Sequence, residues 1–261
     1  MPTTNPLEDT PVLVIFAVFA VISFVAYEIG FQIGHWYQAR TPGVQEGPTG
    51  VLVGSILALL AFLLAVTMGM ASDRFDTRRG LVLEEANAIQ TTYLRAGYLP
   101  EPASSEIRNL LREYVPLRIT PANQAKLLSN SQRSDALLLQ IWSVAEGAAK
   151  VTQQGDLMST FIESLNDTID LHESRVAASV YSRVPATILW LLIVGSVLTL
   201  AMVGYSAGLT KRRDLLSAIV LIIALGAVLA LVIDLDQPNQ GFVQVSQQPI
   251  IDLQELIGPP S

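Results

Sequence analysis

The sequence contains no cysteine, which removes disulfides, thiolate metal sites and cysteine nucleophiles together. Histidine is almost as scarce, with only His35 and His172, far apart in the chain. Zinc centres normally draw on several His or Cys ligands, so an imidazole-based metal site is not expected. No nucleotide-binding glycine loop or HExxH motif occurs, and neither an enzyme nor a cofactor is expected. Charge is thin as well, at 15% of residues, where ordinary soluble domains carry about 25%. The formal net charge of −7 supplies no basic stripe for nucleic acid and no polybasic cluster for a membrane surface.

The missing charge is concentrated in four apolar runs, and 51% of the chain is hydrophobic. A helix needs roughly 20 apolar residues to cross a hydrocarbon core. The four runs extend from about Pro11 to Gly34, Thr49 to Ala71, Val184 to Leu209 and Leu215 to Val232. The first follows Glu8 and Asp9 rather than a basic stretch and lacks a small-residue cleavage site, so it reads as a retained span. Trp36 and Tyr37 follow it as an aromatic anchor at headgroup level. Short connections make two antiparallel helical hairpins. The expected fold is all-α: an integral membrane protein with four transmembrane helices and a helical domain inserted between the second and third. The expected parts are an N-terminal hairpin over 1–71, the helical domain over 72–183, a second hairpin over 184–233 and a tail over 234–261.

The second run does not stop where charge begins. From Ser72 onward charged residues take helical spacing, with Phe75, Leu83, Ala86, Ile89, Tyr93 and Ala96 as apolar positions. This predicts one continuous helix of roughly 45 residues, ended by Gly97 and Pro100. Three more helices are expected: one carrying Ile107, Leu110, Leu111, Tyr114 and Val115, one capped by Ser134, and one from about Gly155 toward the third span. His172 lies on the last and is expected at a surface or interface. An extended piece and a short helix from Pro249 to Ile257 close the chain.

Several segments carry a resemblance. Leu60 through Thr67, then Ser72-Asp73-Arg74-Phe75, Asp76-Thr77-Arg78-Arg79 and Glu84-Glu85-Ala86-Asn87-Ala88-Ile89 form one. Asp234-Leu235-Asp236-Gln237-Pro238, Gly241 and Val245-Ser246-Gln247-Gln248-Pro249 form another. Together with the order of elements, they resemble the bacterial bestrophin-like domain family, and more distantly the bestrophin anion channels. The resemblance covers nearly the whole chain. It implies a homo-oligomer, a pentamer in true bestrophins, whose second span lines a pore for inorganic ions. It aligns Ala58, Phe62 and Val66 with the apolar neck of those channels. The neck's opening proline has no counterpart here, and the aromatic pair after the arginine is half present, as Phe75.

Read physically, the second span has two adjoining stripes. Gly54, Ala58, Ala61, Ala65, Gly69 and Ser72 form a row of small residues, the composition of a close helix-packing seam. Ser55, Phe62, Val66 and Asp73 share the neighbouring face and would give a ring of copies a polar entrance, an apolar constriction and an acidic mouth. Arg74, Asp76, Arg78 and Arg79 serve either as a solvated collar or as inter-subunit charge pairs. Glu84 and Glu85 are either exposed or partnered with arginines of adjacent helices. Glu28 is the one acid well inside an apolar run, which makes it a functional suspect. Asp234 and Asp236, with Asn239, are weak candidates for calcium.

Orientation is nearly balanced between Arg74, Arg78, Arg79, Arg175 and Arg183 on one side and Arg40, Lys211, Arg212 and Arg213 on the other. The resemblance implies a bacterial inner membrane with the middle domain cytoplasmic. The expected function is therefore an oligomeric ion channel in the lipid bilayer. The alternative is a membrane-anchored sensor or scaffold with a helical bundle and no conduction. A transporter is disfavoured, since no broken helix or inverted repeat is visible.

Overall fold

The computed structural model describes residues 10–41, 49–120, 124–151, 155–180, 183–237 and 241–259; Glu8, Asp9 and Asn239 lie outside these. Among the described residues there are eight α-helices, one short 3-10 turn and no strand. In chain order they are α1 (Val12–Arg40), α2 (Thr49–Arg95), α3 (Ala103–Leu117), α4 (Gln124–Val151), α5 (Gly155–Val180), α6 (Ala186–Thr210), α7 (Leu215–Asp236) and α8 (Gln248–Ile257). Four of them, α1, α2, α6 and α7, are long and apolar enough to cross a membrane.

α2 is one helix of 47 residues. It ends in the 3-10 turn Ala96–Tyr98, just where Gly97 interrupts the pattern. Its buried residues recur at intervals of three, four or seven positions, through Val53, Leu60, Leu64, Thr67, Ala71, Arg78, Val82, Glu85, Ile89 and Thr92. A stripe at that spacing marks one face of a helix. The chain divides at this helix into two compact units.

The first unit holds α1, α6, α7 and α2 as far as Arg74, with the chain to Gln244. Its closest packing joins α1 to α6, which belong to different predicted hairpins. Gly30 and Gly34 face Ala201 and Tyr205, while Gly204 and Gly208 face Tyr27 and Phe31. Because residue number rises together on both sides, the two helices run parallel. A Cβ added at any of these four glycines would collide with a backbone carbonyl oxygen of the partner helix. Only glycine permits that approach, as in other membrane helix pairs. Both motifs, Gly30-Phe-Gln-Ile-Gly34 and Gly204-Tyr-Ser-Ala-Gly208, stand open in the sequence. α7 runs antiparallel to α1, with Gly226 against the rings of Phe16 and Phe19. Phe19, Leu60, Leu64, Leu192 and Leu229 close an apolar cluster among α1, α2, α6 and α7. At the end of α1, the Arg40 guanidinium lies 3.9 Å from the centre of the Trp36 ring.

The second unit holds α2 from Phe75, then α3, α4, α5 and the chain from Val245. Ile89, Ile107, Leu111, Leu137, Ile141, Phe161, Leu165 and Ile250 are fully buried in one core. Ile250, Leu253 and Ile257 of α8 belong to that core, so the expected 234–261 tail divides between the two units. The structure corrects the reading of Ser134. It sits in the interior of α4 rather than at its start, and its buried hydroxyl finds no hydrogen-bond partner among the described residues. α4 begins ten residues earlier, at Gln124, because Leu137 and Ile141 fix only its buried stripe, and polar residues upstream continue the same helix.

Candidate functional site

The α2 face opposite the buried stripe is open. Gly54, Ser55, Ala58, Ala61, Phe62, Ala65, Val66, Gly69 and Asp73 are all exposed. Phe62 is 64% exposed, and a Cβ at Gly54 or Gly69 would meet nothing within 4 Å. Within one chain, then, the small-residue row is exposed from Gly54 to Gly69 and half-buried at Ser72, in contrast to the buried glycines of α1 and α6. Ser55 donates its hydroxyl hydrogen to the Val51 carbonyl at 2.8 Å.

The charged residues of this unit hold its chain ends together. Arg74 is half-buried and stands 3.9 Å from Asp236. Asp236 also accepts the backbone N–H of Val184 at 2.8 Å, which pins the start of α6 to the end of α7. Asp234 accepts the N–H groups of Phe242 and Val243 at 2.8 and 2.9 Å. Gly241 makes that turn with φ of 119°, and a Cβ there would strike the Asp234 carboxylate. Both aspartates are buried and serve as acceptors for backbone N–H groups. Glu28 receives the Arg213 guanidinium, at 2.7 Å to Oε1. The acid of the first apolar run therefore has a cationic partner. That hydrogen bond, followed by the Glu28 charge, raises the pKa of Arg213.

In the second unit, Asp76, Arg79 and Glu84 are exposed. Arg78 is buried, which corrects the solvated-collar reading at that position: it occupies the same inward stripe as Val82 and Glu85. Glu85 is 0% exposed and takes the second of its two expected roles. Its carboxylate accepts Arg118 Nε at 2.7 Å and Arg175 at 2.5 Å. Arg175 also donates to Gln247 at 2.6 Å. A carboxylate buried this deeply is tolerated because two guanidinium groups fill its acceptor positions.

Behind this carboxylate runs a string that sequence reasoning did not find. The Tyr114 hydroxyl lies 3.4 Å from Glu85 and 3.0 Å from His172 Nδ1. His172 Nε2 lies 2.8 Å from Asp135. The structure corrects the surface placement of His172, which is 1% exposed. Burial, then the nearby Arg118 charge, lowers its pKa, against weaker upward pulls from Asp135 and Glu85. Burial likewise pushes the Tyr114 phenol far up. One signal was available: Tyr114 and His172 both lie in line with the apolar stripes of their helices, where a polar side chain must find a partner.

Comparison with known proteins follows the same lines. The model of the Bestrophin-like domain matches residues 14–250. Among solved structures, a tyrosine-to-alanine variant of a bacterial bestrophin homologue from Klebsiella pneumoniae is similar, with a TM-score of 0.68 at 12% identity, covering 94% of this chain and 97% of that one. A leucine-to-threonine variant of that homologue gives 0.68 at 14% identity, covering 95% and 98%. The homologue solved by Zn-SAD phasing gives 0.62 at 14% identity, covering 94% and 95%. No curated protein matches the chain.

Proposed function

The chain belongs to the bestrophin-like family, and on that premise we propose that it is a homo-oligomeric ion channel whose second helix lines the pore. The observation that carries this is the uncovered face of α2, small along one edge and bearing Phe62 and Val66 along the other. In lipid, helices associate through close packing rather than by escaping water, so a bare row of glycine and alanine favours another helix as its neighbour. A second copy of the chain supplies one. Around a shared axis, Ser55 stands at one end, Phe62 and Val66 form an apolar constriction that gates by dewetting, and Asp73 sits beyond it. Five copies is the number the family suggests. The bacterial inner membrane, with residues 75–182 on the cytoplasmic side, is part of the proposal.

The mass of the detergent-purified complex tests the assembly. A ring larger than a dimer is expected; a monomer or dimer leaves no central path and favours a sensor or scaffold. Bilayer recordings of wild type against Phe62→Ala test the constriction. A changed conductance or open probability is expected, and unchanged currents would remove Phe62 from that role. The absence of native cysteine makes sidedness simple to read: a Leu139→Cys chain should react with an impermeant maleimide only after the cytoplasmic face is exposed.

A further inference from the structure

The geometry points to a divalent transition-metal site, of the kind zinc occupies, formed by Asp135 of α4 with His172 and Glu173 of α5. One ligand atom from each residue lies within 4.8 Å of the other two. Asp135 and Glu173 are exposed, while the His172 ring is buried and presents only Nε2 to them. The set is thus rooted at one end and open to solvent at the other, which gives an ion both a fixed ligand and an entry path.

The feature that separates this cluster from an ordinary surface His–Asp pair lies behind the ring. Metal-bound imidazole characteristically donates its second N–H to an acceptor that fixes tautomer and orientation. Here the atom in that place is the Tyr114 oxygen, 3.0 Å from Nδ1. Tyr114 in turn faces Glu85, a carboxylate that two guanidinium groups hold as an acceptor. With the hydrogens running from Nδ1 to Tyr114 and from Tyr114 to Glu85, Nε2 turns a bare lone pair toward two carboxylates. That arrangement is repulsive unless a cation lies between them. Without the ion, the same hydrogens shift one place, so that Tyr114 donates to Nδ1 and Nε2 donates to Asp135. The ion takes the place of one hydrogen-bonded proton, and the string behind the ring absorbs the change with no net loss of protons.

Two carboxylates and one neutral imidazole balance a divalent charge. Imidazole in the set selects zinc-like ions over magnesium or calcium, which take oxygen ligands throughout. Ligand atoms about 2.0 Å from a tetrahedral zinc stand about 3.3 Å apart. Asp135 must therefore ease back by a few tenths of an ångström from its 2.8 Å contact, and the exposed Glu173 side chain must swing in. Water fills the remaining position. The bound ion would tie α4 to α5 across a sequence separation that hides the site from motif searches.

The test uses tag-free, full-length protein in detergent, titrated with Co²⁺ as a visible probe and then with Zn²⁺ as competitor. One Co²⁺ per chain is expected, with d–d absorption that Zn²⁺ abolishes. Asp135→Asn and Glu173→Gln should each weaken Zn²⁺ binding at least ~10-fold, the scale on which metal-site partners act, and should lose the Zn²⁺-dependent rise in melting temperature. Both positions are exposed, so melting temperatures in EDTA should match wild type. The control His35→Ala should bind as wild type does. Absence of stoichiometric Co²⁺, wild-type affinity in both carboxylate variants, or loss of binding in His35→Ala would each overturn the assignment.

Discussion

The two units solve the packing problem in opposite ways. The first brings helices together by removing side chains: Gly30, Gly34, Gly204 and Gly208 allow backbone against backbone. Its large apolar residues point outward, as Leu13, Val21, Val51 and Leu216 do. The second fills its interior with Ile, Leu and Phe and admits a buried carboxylate with two arginines. Hydrophobic burial drives association only where water is the alternative. A unit with an apolar exterior must therefore gain its specificity from shape, whereas a unit with a closed apolar core can tolerate ionic groups if they satisfy one another.

The sharpest way to break this contrast is Glu85→Ala. It leaves Arg118 and Arg175 buried without their shared counter-ion, and such losses cost about 3–5 kcal/mol. We expect the largest fall in thermal midpoint here, read by circular dichroism in detergent. A midpoint within a degree of wild type would show that the buried ionic centre does not hold the second unit together.

Next in size is Gly204→Leu, which forces α1 and α6 apart; overpacking typically costs about 1–3 kcal/mol. Its counterpart Gly69→Leu meets open space within the chain. It should leave the monomer's melting unchanged while lowering the mass of the complex. Equal effects of the two substitutions would erase the distinction between an intra-chain and an inter-chain seam.

A smaller effect is expected with pH. His172 faces Tyr114, Glu85, Arg118 and Asp135, and its folded pKa lies below the ordinary 6.5. The folded state resists a proton that the unfolded chain accepts. Its contribution is therefore complete above about 6.5 and is lost as pH falls through the lower folded value. In EDTA, melting temperature should decline below that pH, and His172→Gln should flatten the decline. The smallest effect belongs to Arg213→Gln. Arg213 is half exposed, and solvent screening leaves exposed ion pairs little to contribute. A fall as large as that for Glu85→Ala would mean that Glu28 is far more dependent on its partner than its position implies.

Much of this was legible from residues in order. The apolar runs placed α1, α2, α6 and α7, and unbroken helical spacing past Ser72 carried α2 to Arg95. Glu85 was legible as one of two alternatives. The cap reading of Ser134, the collar reading of Arg78 and the surface reading of His172 failed for a common reason: each residue is polar yet sits on a buried stripe, and polarity alone argued for those places. The glycine pairs of α1 and α6 were visible as motifs, but nothing in sequence says which two of four spans will meet.

Local chemistry settled what each segment would become, because hydropathy over twenty residues and the period of a helix are properties of neighbours along the chain. Folding in three dimensions alone decided which faces would touch. Glu85 reaches Arg175 across 90 residues and Tyr114 reaches His172 across 58, distances over which no periodicity carries information. Interhelical geometry selects such partners, and with them whether a polar side chain is buried and held or left to solvent.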